Sequence, residues 1–264
     1  VQEIGGDLVF LSPDGIRTVA GTARIGDVEL GSVSRQIQSI IGDLAASINT
    51  FTIDSCVRRS KSQYRLFYTE PSLSSTLSKG IIGTLTSNGF EWAETIGIQA
   101  MGLTTGFDNN GVEKAYHGDK DGYIYNHDTG DSFNPAGTAA NIEAIYQTPN
   151  YDFGDIGTRK TLKYVRMSFS PEGSCQPTLR VRYDYENTDI PQPVDYTLSN
   201  IPLPAIFGSG VFNTATFGAT NDPMVRQAVE GSGNTCSFRL QSIDTNAPYS
   251  INGLYIDYMP SGRR

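Results

Sequence analysis

Apolar and polar residues alternate in short runs over most of the chain, and the runs are separated by glycine-containing turns. LVF at 8–10, IRTV at 16–19, YRLFY at 64–68, GIIGTL at 80–85 and YIYN at 123–126 are rich in β-branched and aromatic residues. Between them lie SPDG at 12–15, SNG at 87–89, NNG at 109–111 and KDG at 120–122. An Asx-Gly step between two β-prone runs predicts a hairpin, because glycine accepts the positive φ such turns need. One stretch breaks the pattern. Ile37, Ile40, Ile41, Leu44 and Ile48 recur at helical spacing, which predicts one short amphipathic helix at about 34–49 with Ser34 as its N-cap. Arg35 is its only basic residue and Asp43 opposes it, so it reads as a packing element rather than a membrane-surface helix.

Beyond about residue 140 the runs lengthen. TLKYVRMSFS at 161–170, TLRVRYDY at 178–185, CSFRLQSI at 236–243 and INGLYIDY at 251–258 predict four longer strands. In the first, period two sets Leu162, Tyr164, Arg166 and Ser168 on one face and Lys163, Val165, Met167 and Phe169 on the other. IPQP, IPLP and FGSG make 189–233 a long loop that holds no central strand, and a loop of that length predicts a functional loop or an interface arm. The expected organisation is therefore 1–140, propeller-like β blades, and 141–264, a β-sandwich-like platform domain. The short-strand units of the first part recur about every 40 residues. Three blades fit, and a propeller needs at least four to close. With Val1 rather than Met at the start, this predicts blades upstream. The fold class is all-β: a partial β-propeller, a β-sandwich-like domain and one short helix.

Composition narrows the function. The chain has 264 residues, Gly 28 and Pro 13, and a formal net charge of −8. An acidic chain is a poor binder of nucleic acid, because phosphate neutralisation needs clustered cations. No run of apolar residues is long enough for a transmembrane helix, and no signal-peptide pattern is visible. Cys56, Cys175 and Cys236 are isolated and odd in number, so neither a zinc site nor a full disulfide framework is expected. They read as buried free thiols, with a Cys175–Cys236 bridge left open.

Candidate chemistry is sparse. His117 and His127 flank a turn crowded with Asp119, Asp121, Asp128 and Asp131, but an acid–base or metal site needs a third partner. The D-x-D-G spacing resembles a calcium loop, yet Tyr123 and Gly130 stand where its fifth and twelfth ligands belong. Glu91 beside Trp92 is the best single candidate for a glycosidase acid, but a lone Trp next to an acid is more often core packing plus a surface charge. No nucleophile elbow or nucleotide-binding glycine loop is present. No catalytic residue, metal or cofactor is expected. Arg180, Arg182, Tyr183 and Tyr185 alternate in TLRVRYDY. Such a face suits glycans or bases, and in an acidic chain it suits an assembly interface better. Together with Phe207, Phe212 and Phe217 of the long loop, these are the expected interface residues.

Three stretches carry a resemblance: 10–37, with its DGIR turn; 146–173, with GTRKTLKYV; and 237–264, ending in APYSINGLYIDYMPSGRR. They are similar to the tail nozzle, or tail tubular protein B, family of short-tailed bacteriophages. The resemblance implies a non-enzymatic virion protein assembled in the host cytoplasm. It implies a homohexameric ring, contacts with other tail or adaptor proteins, and a channel that DNA passes through at ejection without specific binding, with no membrane insertion. The chain is shorter than a whole nozzle of this kind. The alternatives are a glycan- or receptor-binding propeller module at the tail tip and, third, a glycoside hydrolase.

Overall fold

The computed structural model describes residues 1–19, 32–70, 79–133, 138–198 and 224–263. The fold is mostly β; among the described residues one short α-helix is complete, and all paired strands are antiparallel. It divides into two units, residues 1–129 and 130–264, where the sequence placed the change near 140. No helix among the described residues is long and apolar enough to cross a membrane.

The first unit is a series of meanders, each formed by strands that follow one another in sequence. β1 (Gln2–Ile4), β2 (Asp7–Ser12) and β3 (Gly15–Thr18) form the first sheet. The helix α1 (Gln38–Ala46) precedes a four-stranded sheet of β4 (Thr52–Arg58), β5 (Gln63–Thr69), β6 (Lys79–Thr86) and β7 (Gly89–Ile96). A third sheet holds β8 (Gly102–Phe107), β9 (Glu113–Gly118) and β10 (Ile124–Asn126). The four glycine turns are all hairpins within these sheets, with Gly15, Gly89, Gly111 and Gly122 at φ +152°, +111°, +75° and +87°. The opening strands of successive sheets lie side by side, β1 against β4 and β4 against β8. That is the arrangement of propeller blades around an axis. Ile4, Val9, Ile16, Ile41, Leu44 and Tyr64 are part of the core beneath them.

α1 buries Ile41 and Leu44 on this core, with Ile37 and Ile40 half-buried beside them, while Ile48 lies outside it in a separate 3-10 turn and is exposed. The expected cap is corrected. Ser34 makes no side-chain cap bond to the helix. It is fully buried, and its hydroxyl accepts the backbone N–H of Ile16 at 2.9 Å. The pull of a buried N–H on β3 outweighs capping, since an unpaired buried donor costs more than a frayed helix end. Gly15 is required here: a Cβ would collide with the Ser32 hydroxyl.

The second unit is a sandwich of two four-stranded sheets. One has the order β11 (Ile142–Gln147), β17 (Cys236–Asp244), β13 (Thr178–Tyr183), β14 (Tyr196–Thr197). In the other, β12 (Thr158–Pro171) is central, with β15 (Met224–Ala228) and β16 (Ser232–Gly233) on one edge and β18 (Tyr249–Arg263) on the other. Leu162, Val165, Met167 and Phe169 of β12 meet Leu179, Val181, Phe238 and Leu240 in a buried apolar core. The expected face assignment of β12 fails at Leu162. Between Leu162 and Tyr164 the pairing to β18 slips by one residue, so Lys163 is a β-bulge and Leu162 joins Val165 inside. The described part of 189–233 contains the short strands β14, β15 and β16, all at sheet edges, where proline-rich chain is tolerated. Cys56, Cys175 and Cys236 are buried free thiols, so the bridge left open does not form.

Candidate functional site

The histidine loop singled out in sequence closes onto the four-stranded sheet of the first unit. β9 carries Glu113 and His117, and the chain leaving β10 carries His127 and Asp128, the latter at φ +54°. Facing them are Arg58 at the end of β4, Lys61 in the following 3-10 turn and Arg65 on β5. Asp128 is the common acceptor: Arg65 donates to it at 2.7 Å, Lys61 lies at 3.2 Å, and Arg58 forms a third ion pair. Arg65 is 2% exposed, so its charge is out of water and depends on these partners. The Gln63 side-chain oxygen accepts two further bonds from it.

The two imidazoles are linked. His127 Nε2 and His117 Nδ1 are 2.8 Å apart, and Arg65 reaches His127 Nδ1 at 3.3 Å. A guanidinium only donates, so His127 Nδ1 accepts, its proton sits on Nε2, and His117 Nδ1 accepts in turn. Burial, then the adjacent His117 imidazole and the guanidiniums of Arg65 and Arg58, push His127 down to about 3. Burial lowers His117 as well, with Asp119 working against it. For Glu113, burial raises the carboxyl and is outweighed by the N–H groups of Ser60 and Arg59, which it accepts at 2.8 and 3.0 Å. The third partner of the histidines is thus a cation, not a carboxylate. Both nitrogens of His127 are spent within the network, which makes it a bridge between two sheets rather than an acid–base pair. Asp119 folds its own turn by accepting the N–H groups of Asp121 and Tyr123, each at 2.9 Å. Among the described residues no group of three His, Cys, Asp or Glu is placed to hold a metal ion.

Arg58, Lys61 and Arg65 escaped the sequence reading. The signal was there: RRSKSQYR at 58–65 concentrates cations in a chain with few of them. Glu113 left none, since its role is to bind two backbone N–H groups that only the fold brings near.

A hollow of about 490 Å³ opens beside the first sheet, lined among others by Ile4, Val9, Arg35, Asn88 and Phe90. Asp7 is the only carboxylate among its described lining residues. Trp92 stacks on Phe90 at 5.4 Å and donates its indole N–H to Val33 O at 2.9 Å. Glu91 is exposed next to it in sequence, and alternation along β7 turns it away from Trp92.

In the second unit the expected interface residues separate. Arg180 and Arg182 both grip Asp195, at 2.8 and 2.9 Å, and the Arg180 hydrogen bond is the main reason Asp195 stays below the usual carboxylate range. Tyr183 is in the core at 1% exposure, because strand period puts it on the face of Leu179 and Val181; its hydroxyl donates to Glu230 O. Tyr185 is 70% exposed. It is the middle of three successive left-handed residues, Asp184, Tyr185 and Glu186, with φ of 51°, 59° and 61°. The Asp184 carboxylate pins this turn by accepting Asn234 N and Thr235 N at 2.7 and 2.9 Å. Phe207, Phe212 and Phe217 lie outside the described residues.

No protein-family model matches this chain, and no curated protein matches it. The geometry comprises an inter-sheet polar bridge in the first unit and, in the second, an exposed Tyr185 and two arginines held by Asp195.

Proposed function

We infer that the chain is a structural component of a bacteriophage tail, a nozzle-like subunit that joins identical copies in a ring around the DNA exit channel. One observation carries this reading: successive antiparallel meanders whose opening strands pack side by side, followed in the same chain by a β-sandwich. That is scaffold architecture, and its best-formed polar cluster is spent on holding sheets together. The net charge of −8 supports the same reading, because an acidic wall repels phosphates and lets DNA slide without being trapped. A ring with cyclic symmetry uses two different patches per subunit.

Negative-stain microscopy of the purified protein, and of virions labelled with an antibody against it, tests this. The expected result is a ring in solution and label on the tail axis. Label confined to peripheral fibres would favour the receptor-binding alternative, for which the Phe90–Trp92 stack beside the hollow is the natural sugar shelf.

A further inference from the structure

The outer face of the β12–β15–β18 sheet carries more positive charge than it neutralises. Val165 and Met167 of β12 are in the core, so Arg166 between them points outward. Arg226 of β15 stands directly opposite Arg166, and like charges so placed repel. Asp257 on β18 bonds Arg166 at 2.7 Å. Arg226 is exposed and lies over the ring of Tyr164, 3.6 Å from its centroid, and among the described residues no carboxylate pairs with it. On the other side of Arg166 is Tyr255, 55% exposed. Its ring rests on the bare backbone of Gly253, where a Cβ would come within 3.1 Å of it. Arginine and tyrosine held against a sheet and left open to solvent are the residues that anchor protein interfaces. In a chain of net charge −8, an unpaired cation here calls for an acidic partner.

The chain itself carries such a partner. Tyr185, 70% exposed, stands on a turn of three successive left-handed residues, a conformation that non-glycine residues rarely adopt. The turn is clamped from both sides. The Asp184 carboxylate accepts two backbone N–H groups, and the Gln192 amide donates to Tyr183 O at 3.1 Å and to Asn187 O at 3.0 Å. Tyr185 is therefore fixed in the open, its backbone ordered before any contact is made. Glu186 and Asp189 are exposed beside it and form no ion pair among the described residues. We propose that this turn docks on the outer face of the β12–β15–β18 sheet of a second copy of the chain, with Tyr185 against Tyr255 and Glu186 on Arg226. Arg226 and Tyr255 flank β12 on either side, about 10 Å apart, a span that neighbouring side chains of one turn cover. Arg180 and Arg182 make a poorer acceptor, because they already share Asp195. The turn follows β13 in one sheet and the acceptor is the outer face of the other, so the contact is head-to-tail, the kind that can close into a ring. The proposal rests on the ring reading above and names the surface through which the ring is joined.

The test reverses the charges. Self-association of the full chain is measured by sedimentation velocity, and rings are scored by negative-stain microscopy. Arg226→Glu and Glu186→Arg should each weaken association at least about tenfold, because like charges then face each other. Tyr185→Ala should weaken it by about as much through loss of the anchor. Glu172→Arg, the same change of charge at an exposed site past the end of β12, should leave association unchanged. The protein carrying both Arg226→Glu and Glu186→Arg should associate as the wild type does, a recovery that misfolding of the single variants could not give. Slow thiol labelling of the buried Cys175 and Cys236 checks the fold of each variant. Failure of the double variant to recover would overturn the docking of this turn on this face. Rings in every variant, as in the wild type, would overturn the docking and leave the nozzle reading standing. A wild type that stays monomeric would overturn both. Recovery of dimers by the double variant, with no rings in any protein, would support the docking and overturn the closed ring.

Discussion

Where the β4–β7 sheet of residues 1–129 meets the β8–β10 sheet, the contacts are largely polar. Arg58, Lys61 and Arg65 converge on Asp128, Glu113 binds two backbone N–H groups, and Asp54 accepts Leu103 N–H at 2.6 Å. Where the two sheets of residues 130–264 meet, the contacts are hydrocarbon: Leu162, Val165, Met167 and Phe169 against Leu179, Val181, Phe238 and Leu240. Both units are antiparallel β, so the difference lies in how sheets are joined. Narrow meanders set side by side offer little face to bury, and directional bonds hold them in register. Wide sheets stacked face to face bury a continuous core, and the register of their strands supplies direction.

The two arrangements should fail differently. Each unit carries its own reporters: Trp92 and Cys56 in the first, Cys175 and Cys236 in the second. The largest effect is expected from Phe238→Ala, which empties a site at 1% exposure in the sandwich core. A loss of about 3–5 kcal/mol is expected, read as faster thiol labelling of Cys175 and Cys236 in denaturant, with Trp92 fluorescence unmoved. A loss below about 1 kcal/mol would mean that the sandwich core does not hold its sheets.

Next is pH. Both histidines are in the first unit, and His127 is held neutral in the fold at about 3 against an ordinary 6.5. The folded value is the lower one, so the unfolded chain binds the extra proton. Stability is full above pH 6.5 and is lost as pH falls towards about 3. Between pH 7 and 5 the first unit should lose about 2 kcal/mol, followed by Trp92 fluorescence in urea. The second unit, without a histidine and with Asp195 shifted down, should hold over that interval. His127→Gln should flatten the slope, and an unchanged slope would remove His127 as its source.

These two predictions divide along what the sequence made legible. The hairpins and the helix face were readable because they depend on local chemistry: glycine after an Asx, apolar residues at helical spacing. The sandwich strands were readable from period two, until the bulge at Lys163 moved Leu162 across the sheet, an event set by the partner β18 and not by β12 itself. The polar bridge was half readable. His117 and His127 stood out by rarity, but Arg65 is 62 residues from His127, and Arg58 is 70 residues from the Asp128 it meets. Ser34 was misread for the same reason, since its real partner, Ile16 N–H, is 18 residues upstream.

Ser34→Ala sharpens that last point. If the hydroxyl only capped α1, its loss would fray the helix. Because it satisfies a buried strand N–H, a cost of about 1–2 kcal/mol is expected, with hydrogen exchange rising at Ile16 rather than through Gln38–Ala46. Faster exchange confined to the helix would restore the capping role.

The smallest effect should come from Arg180→Ala. Arg180 and Asp195 are each about one-third exposed, at 35% and 34%, and Arg182 keeps its own bond to Asp195 when Arg180 is gone. An exposed pair with a surviving second partner is worth less than about 1 kcal/mol, and salt should erase most of it. That small value makes the substitution useful beyond stability. A chain that folds normally with Arg180→Ala and still forms rings would confine this arginine to its internal pair. A chain that folds normally but no longer assembles would mean that the guanidinium also meets a neighbour. The subunit contact would then include charge on the sandwich surface.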